Sequence, residues 1–111
     1  MPVSSETRLF KALNHPARLA ILDALREREA CVCHLEAHLG QRQAYISQQL
    51  MVLREAGMVL DRREGLNHYY RIADPRVFAL LDTARAVAGS QPARPLPTGP
   101  VACPCPKCSG A

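Results

Sequence analysis

The five cysteines of this chain fall in two places. Cys31-Val32-Cys33 is one group and Cys103-Pro104-Cys105-Pro106-Lys107-Cys108 is the other. Thiolates grouped in this way suit soft metal ions. On an α-helix, residues i and i+2 point about 200° apart, so Cys31 and Cys33 can share an ion only where the chain is irregular, as at a helix start. Backbone N–H groups and the positive dipole end at such a start favour thiolate. Two ligands are too few, because thiolate-rich sites take three or four. The tail can supply the others: from Gly89 to Ala102, an extended proline-rich chain reaches roughly 40 Å. Cys105-Pro106-Lys107-Cys108 is also a Cys-x-x-Cys pair with Cys103 beside it, so a self-contained tail site is an alternative. The plain reading of Cys31 and Cys33 is as small buried hydrophobes, and His34 and His38, at i and i+4, are more often solvated than metal-bound.

The elements that must position these groups follow from pattern. The chain has 111 residues and a net charge of +4, with arginine far outnumbering lysine. That is one small domain with a tail, near the size at which pairing adds stability, and a charge that permits nucleic-acid binding without demonstrating it. No signal pattern or membrane-length apolar run is present, so a cytoplasmic, non-membrane protein is expected, and in a reducing cytosol clustered cysteines point to metal or redox chemistry. After Gly89 the composition turns proline-rich and poor in large apolar residues. We therefore expect a folded domain over 1–89 and a flexible cysteine-bearing tail over 90–111.

Within the domain, Leu9, Phe10 and Leu13 are spaced for a first helix, which Asn14-His15-Pro16 breaks. Pro16 opens a second helix with Leu19, Ile21, Leu22 and Leu25 on its apolar face. A third helix over about 32–39 stops at Gly40. A fourth, about 43–56, buries Ile46, Leu50 and Leu53 and turns Gln43, Tyr45, Ser47 and Gln48 away from that stripe. Strands near 58–62 and 68–72 flank a hairpin tip at 63–67, and Asp74-Pro75 caps a last helix with Val77, Phe78, Leu80, Leu81 and Ala84 inward. The fold class is mainly α with a small β-hairpin, a winged helix-turn-helix of order ααααββα. Its second reading helix enters the major groove, where glutamine can pair with adenine and apolar groups touch thymine methyls, so Gln43, Tyr45, Ser47 and Gln48 are the base-reading candidates. Arg42, Arg62, Arg63 and His68 are the phosphate or minor-groove candidates.

The motifs His15-Pro16-Ala17-Arg18 with Leu19-Ala20-Ile21-Leu22, Cys31-Val32-Cys33-His34-Leu35, Leu39-Gly40, Ser47-Gln48-Gln49-Leu50, Leu53-Arg54-Glu55-Ala56-Gly57-Met58-Val59 and Tyr69-Tyr70-Arg71-Ile72 resemble the ArsR/SmtB metal-sensing repressors over about 5–88. The resemblance implies a homodimer, paired through its first and last helices, that binds a palindromic operator and releases it when an inducer metal binds. This chain departs from the pattern in several places. His34 follows Cys-Val-Cys where an acidic residue is usual, Glu36 stands where arsenic sensors often have a cysteine, Arg42 replaces a serine cap and Gln49 a histidine. No histidine follows residue 68, which argues against a zinc site on the last helix.

The expected function is a metal- or metalloid-responsive repressor, with Cys31 and Cys33 completed by two or more of Cys103, Cys105 and Cys108. Thiolate ligation favours Cd(II), Pb(II) or As(III) as inducer, is compatible with Zn(II), and excludes Mg(II) and Ca(II). One rival is a thiol redox or persulfide switch, which needs only two cysteines and leaves the tail triplet superfluous. Another is a metal-buffering protein, which leaves the polar face of the fourth helix unexplained. No nucleophile–base pair or phosphate loop suggests an enzyme.

Overall fold

Ser4 starts the first helix by accepting the Thr7 backbone N–H on its hydroxyl at 3.3 Å. The computed structural model describes residues 4–26 and 28–90. Its elements are α1 (Ser5–Leu13), α2 (Pro16–Ala24), β1 (Ala30–Cys31), α3 (Val32–Leu39), α4 (Gln43–Glu55), β2 (Val59–Glu64), β3 (Asn67–Ile72) and α5 (Arg76–Ala88). This is the expected helix-rich winged order with one addition. The short strand β1 pairs antiparallel with β3, giving a three-stranded sheet of order β1-β3-β2. Two residues carry no readable alternation, so β1 was invisible to pattern.

Each boundary has a local cause. Pro16 opens α2, and the His15 ring caps it by accepting the Ala17 N–H on Nδ1 at 3.1 Å. Gly40 ends α3 in the left-handed region at φ 65°, which turns the chain into α4. Asp74 Oδ1 accepts the Arg76 N–H at 2.9 Å, and α5 begins one residue later than expected, with Pro75 rather than Asp74 at its N-cap. The hairpin is tighter than expected: the pairing runs out to Glu64 opposite Asn67, leaving only Gly65 and Leu66 as the loop. Gly65 has φ 61° and Leu66 is not at positive φ, the arrangement of a type II′ turn.

The core joins α2, α3, α4 and the sheet. Ile21, Leu22, Leu35, Ile46, Leu50 and Leu53 are fully buried, and each such side chain contributes about 1.5–3 kcal/mol over exposure. Val77 and Leu81 of α5 complete it, and Leu9, Leu13 and Phe78 pack partly against it. Ion pairs clamp α5 to α2 and the turn that follows it: Arg85 reaches Asp23 at 2.5 Å and Arg26 reaches Asp82 at 2.6 Å. By contrast, Phe10 on α1 and Val87 on α5 are 57% and 85% exposed. Apart from Ser90, the expected tail over 90–111, with its proline-rich stretch and Cys103, Cys105 and Cys108, lies outside the described residues.

Candidate nucleic-acid interface and cysteine site

Burial of Ile46, Leu50 and Leu53 fixes the rotation of α4. The opposite consequence is that Gln43 and Gln48 are exposed, while Tyr45 and Ser47 are half-buried at the edge of the same face. Arg42, at the N-cap, makes no side-chain cap bond and is exposed at the helix start. The Tyr45 hydroxyl lies 3.5 Å from His15 Nε2. Because His15 Nδ1 accepts from Ala17, the neutral ring carries its proton on Nε2 and donates it to Tyr45.

Gln49, a departure from the family pattern in sequence, is a buried polar anchor whose partner the sequence did not reveal. It lies on the buried stripe, 7% exposed, and its Oε1 accepts from Arg18 Nη1 at 3.0 Å. Arg18 also donates through Nε to the Ala12 carbonyl at 2.7 Å and through Nη2 to that of Lys11 at 3.2 Å. One guanidinium thus ties the last turn of α1 to α4. The available signal was a polar residue three positions after Ile46 on an apolar stripe, which needs a buried partner.

On the wing, Arg63 is exposed, whereas Arg62 and His68 are held by carboxylates. Arg62 makes a two-pronged contact with Glu29, Nε to Oε2 at 3.2 Å and Nη2 to Oε1 at 2.5 Å. Its Nη1 reaches Glu64 at 2.8 Å, and its guanidinium lies 4.8 Å above the Tyr69 ring centre. These hydrogen bonds, that to Glu29 first, push the Arg62 pKa up. His68 Nε2 sits 2.7 Å from Asp61, which also takes Arg54 of α4 at 3.2 Å. The hydrogen bond from His68, followed by the charge of Arg54, holds the Asp61 carboxyl below its ordinary range.

The first cysteine group lies where strand becomes helix. Cys31 is 2% exposed, has extended backbone (φ −83°, ψ 163°), and caps α3: its Sγ accepts the His34 N–H at 3.3 Å. Cys33 is half-buried in the first turn of α3 and is disulfide-bonded. The backbone thus passes from strand to helix between the two sulfurs. Beside them, His34 is 2% exposed with Arg28 Nη2 at 3.5 Å from its Nε2 and the His38 ring stacked at 6.5 Å. Burial, then the charges of Arg28 and His38, push the His34 pKa down. Among the described residues, no three His, Cys, Asp or Glu side chains gather as a metal site would need.

The family model for "Bacterial regulatory protein, arsR family" matches residues 15–60, from the cap of α2 into β2. The chain is also 46% identical over 79 residues to a biofilm growth-associated repressor of Agrobacterium fabrum, covering 71% of this chain and 68% of that protein. The chain belongs to the ArsR family. Within the ArsR/SmtB group its fold agrees with the crystal structure of Mycobacterium tuberculosis Rv0081, at a TM-score of 0.69 and 44% identity over 76% of this chain and 85% of that one. It agrees equally with the homodimeric winged helix-turn-helix DNA-binding domain of Mb0332 from Mycobacterium bovis, at a TM-score of 0.69 and 36% identity over 77% and 79% of the two chains. As an ArsR/SmtB-type protein it is a DNA-binding transcriptional repressor by family, not an enzyme. No helix among the described residues is long and apolar enough to cross a membrane.

Proposed function

We propose that this ArsR-family chain binds operator DNA as a homodimer and releases it when a thiophilic ion, Cd(II), Pb(II) or As(III), binds cysteine thiolates. Zn(II) satisfies the same ligand chemistry less selectively. Cys31 and Cys33 form the centre of the site, completed by two or more of Cys103, Cys105 and Cys108. The observation that carries this reading is the position of Cys31, whose sulfur already accepts a backbone N–H at the positive end of α3. Gln43, Tyr45, Ser47 and Gln48 read bases, and Arg42, Arg62, Arg63 and His68 serve the backbone. Pairing of two copies is supported by the homodimeric relative, by the exposed Val87, and by the exposed Phe10, which lines an apolar hollow of about 290 Å³ with Leu13, Leu80 and Leu81.

Titration of the reduced full chain with Cd(II), Pb(II), As(III) and Zn(II) tests the proposal, following thiolate-to-metal absorption together with operator release. Coincident saturation of both signals is expected. Metal binding without release would reduce the chain to a metal buffer.

A second reading is favoured by the disulfide-bonded Cys33, which makes that sulfur a thiol-switch candidate. Operator release by a disulfide oxidant or a polysulfide, with a chelator present and reversal by dithiothreitol, would establish this mechanism in place of metal sensing.

A further inference from the structure

Arg62 is a wing cation whose donors are spoken for. A guanidinium offers a fork of N–H groups, and the edge that suits a phosphate bidentately is the edge that Glu29 occupies. The two carboxylates on Arg62 are unequal. Glu64 makes one contact and its side chain is 67% exposed, whereas Glu29 makes two and is 15% exposed. Glu29 belongs neither to the wing nor to α4. It stands two residues before Cys31, in the segment leading into β1, and β1 is paired to the wing strand β3. Arg62 on β2 and Cys31 on β1 are both opposite Tyr69, so the thiol, the ring and the guanidinium occupy one row across the sheet.

From this placement we infer that Glu29 is a latch that competes with DNA phosphate for Arg62, and that the Cys31/Cys33 segment controls it. The inference rests on the cysteine-sensing repressor reading above. With the latch closed, Arg62 is neutralised and the wing loses a phosphate contact. With it open, the guanidinium turns to DNA. Ligation or oxidation acts at Cys31 on the two-residue strand that follows Glu29 and at Cys33 in the helix turn just beyond it, and fixing that strand against β3 favours the closed form.

The test uses the reduced full-length chain and two duplexes, one of random sequence and one that the wild-type chain has selected from a random library. Glu29→Gln should tighten binding to the random duplex roughly three- to tenfold and steepen its salt dependence by about one phosphate contact. Glu29→Asp keeps the charge but shortens the reach, and should also tighten binding. In an Arg62→Ala background neither change should matter. Equal tightening with and without Arg62 would make the effect one of bulk charge and overturn the latch, as would unchanged affinity of both Glu29 variants. On the selected duplex, added Cd(II) or a disulfide oxidant should release wild type more completely than Glu29→Gln. Equal release of the two would overturn control of the latch by the cysteines while leaving cysteine sensing intact. Failure of wild type to respond to either agent would instead overturn the sensing reading, and the random duplex would still decide whether Glu29 holds Arg62.

Discussion

Cys31 and Arg62 lie on one row of the sheet, each directly opposite Tyr69 of β3. Residues on one such row project to the same side of the sheet, and the Arg62 guanidinium accordingly covers the Tyr69 ring at 4.8 Å. The candidate sensing thiol and a candidate DNA-contacting cation are thus separated by one aromatic side chain. The hairpin alone would not have connected them. It is β1, continuing the sheet past β3, that brings the cysteine segment to the wing.

Base reading by α4 is tested at Gln43 and Ser47. Gln43→Ala or Ser47→Ala should weaken operator binding by about 1–3 kcal/mol for each lost base contact and leave random-sequence binding nearly intact. Mobility shifts on both duplexes measure this. Equal losses on the two would remove these residues from base recognition.

Arg63 is an exposed cation of the wing, and as a phosphate contact its contribution should be independent of sequence. Arg63→Ala is expected to weaken binding to operator and random duplex alike and to lower the slope of log affinity against log salt by about 1. A sequence-dependent loss would mean that Arg63 reaches a base edge.

Cys31 has a structural task as well as a chemical one, and two substitutions separate them. Serine can cap α3 as the thiol does, so Cys31→Ser should retain stability and operator binding while losing metal-triggered release. Valine fills the buried space but cannot accept the His34 N–H, and Cys31→Val should lower unfolding free energy by about 1 kcal/mol in urea. Full induction of Cys31→Ser would exclude Cys31 as a sensing ligand.

Removal of the buried acceptor on α4 should be felt at α1. Gln49→Ala leaves Arg18 Nη1 without the oxygen it now reaches at 3.0 Å, and a loss of about 1–3 kcal/mol in urea unfolding is expected. An unchanged midpoint would show that Arg18 finds another acceptor and that the α1–α4 tie carries no stability.

Acid should loosen the clamp between α5 and the turn that follows α2. The hydrogen bond from Arg26 holds the Asp82 carboxyl below its ordinary 3.8, so in the unfolded chain this group takes up a proton at a higher pH than in the folded one. Its contribution to stability is therefore complete above that ordinary value and is lost as pH falls through the lower folded value. Thermal melts along the acid side should show a shallower decline for Asp82→Asn than for wild type. Parallel curves would mean that the pair adds nothing in solution.

The sequence by itself determined the elements and the order in which they come. Ile46, Leu50 and Leu53 repeat with the period of a helix, Pro16 and Gly40 mark boundaries that backbone geometry enforces, and these signals are local enough to read along one strand of text. They also placed the polar face of α4 and the break between Cys31 and Cys33 at a helix start. Only the tertiary structure decided which charged groups are available. Arg62 meets Glu29 across 33 positions and Gln49 meets Arg18 across 31, and no periodicity encodes a partner at such distance. The strand β1 was hidden for a related reason: two residues become a strand only because β3 supplies their hydrogen-bonding partners. Secondary structure here is written in neighbouring residues, whereas the state of each arginine is set by whichever carboxylate the fold brings beside it.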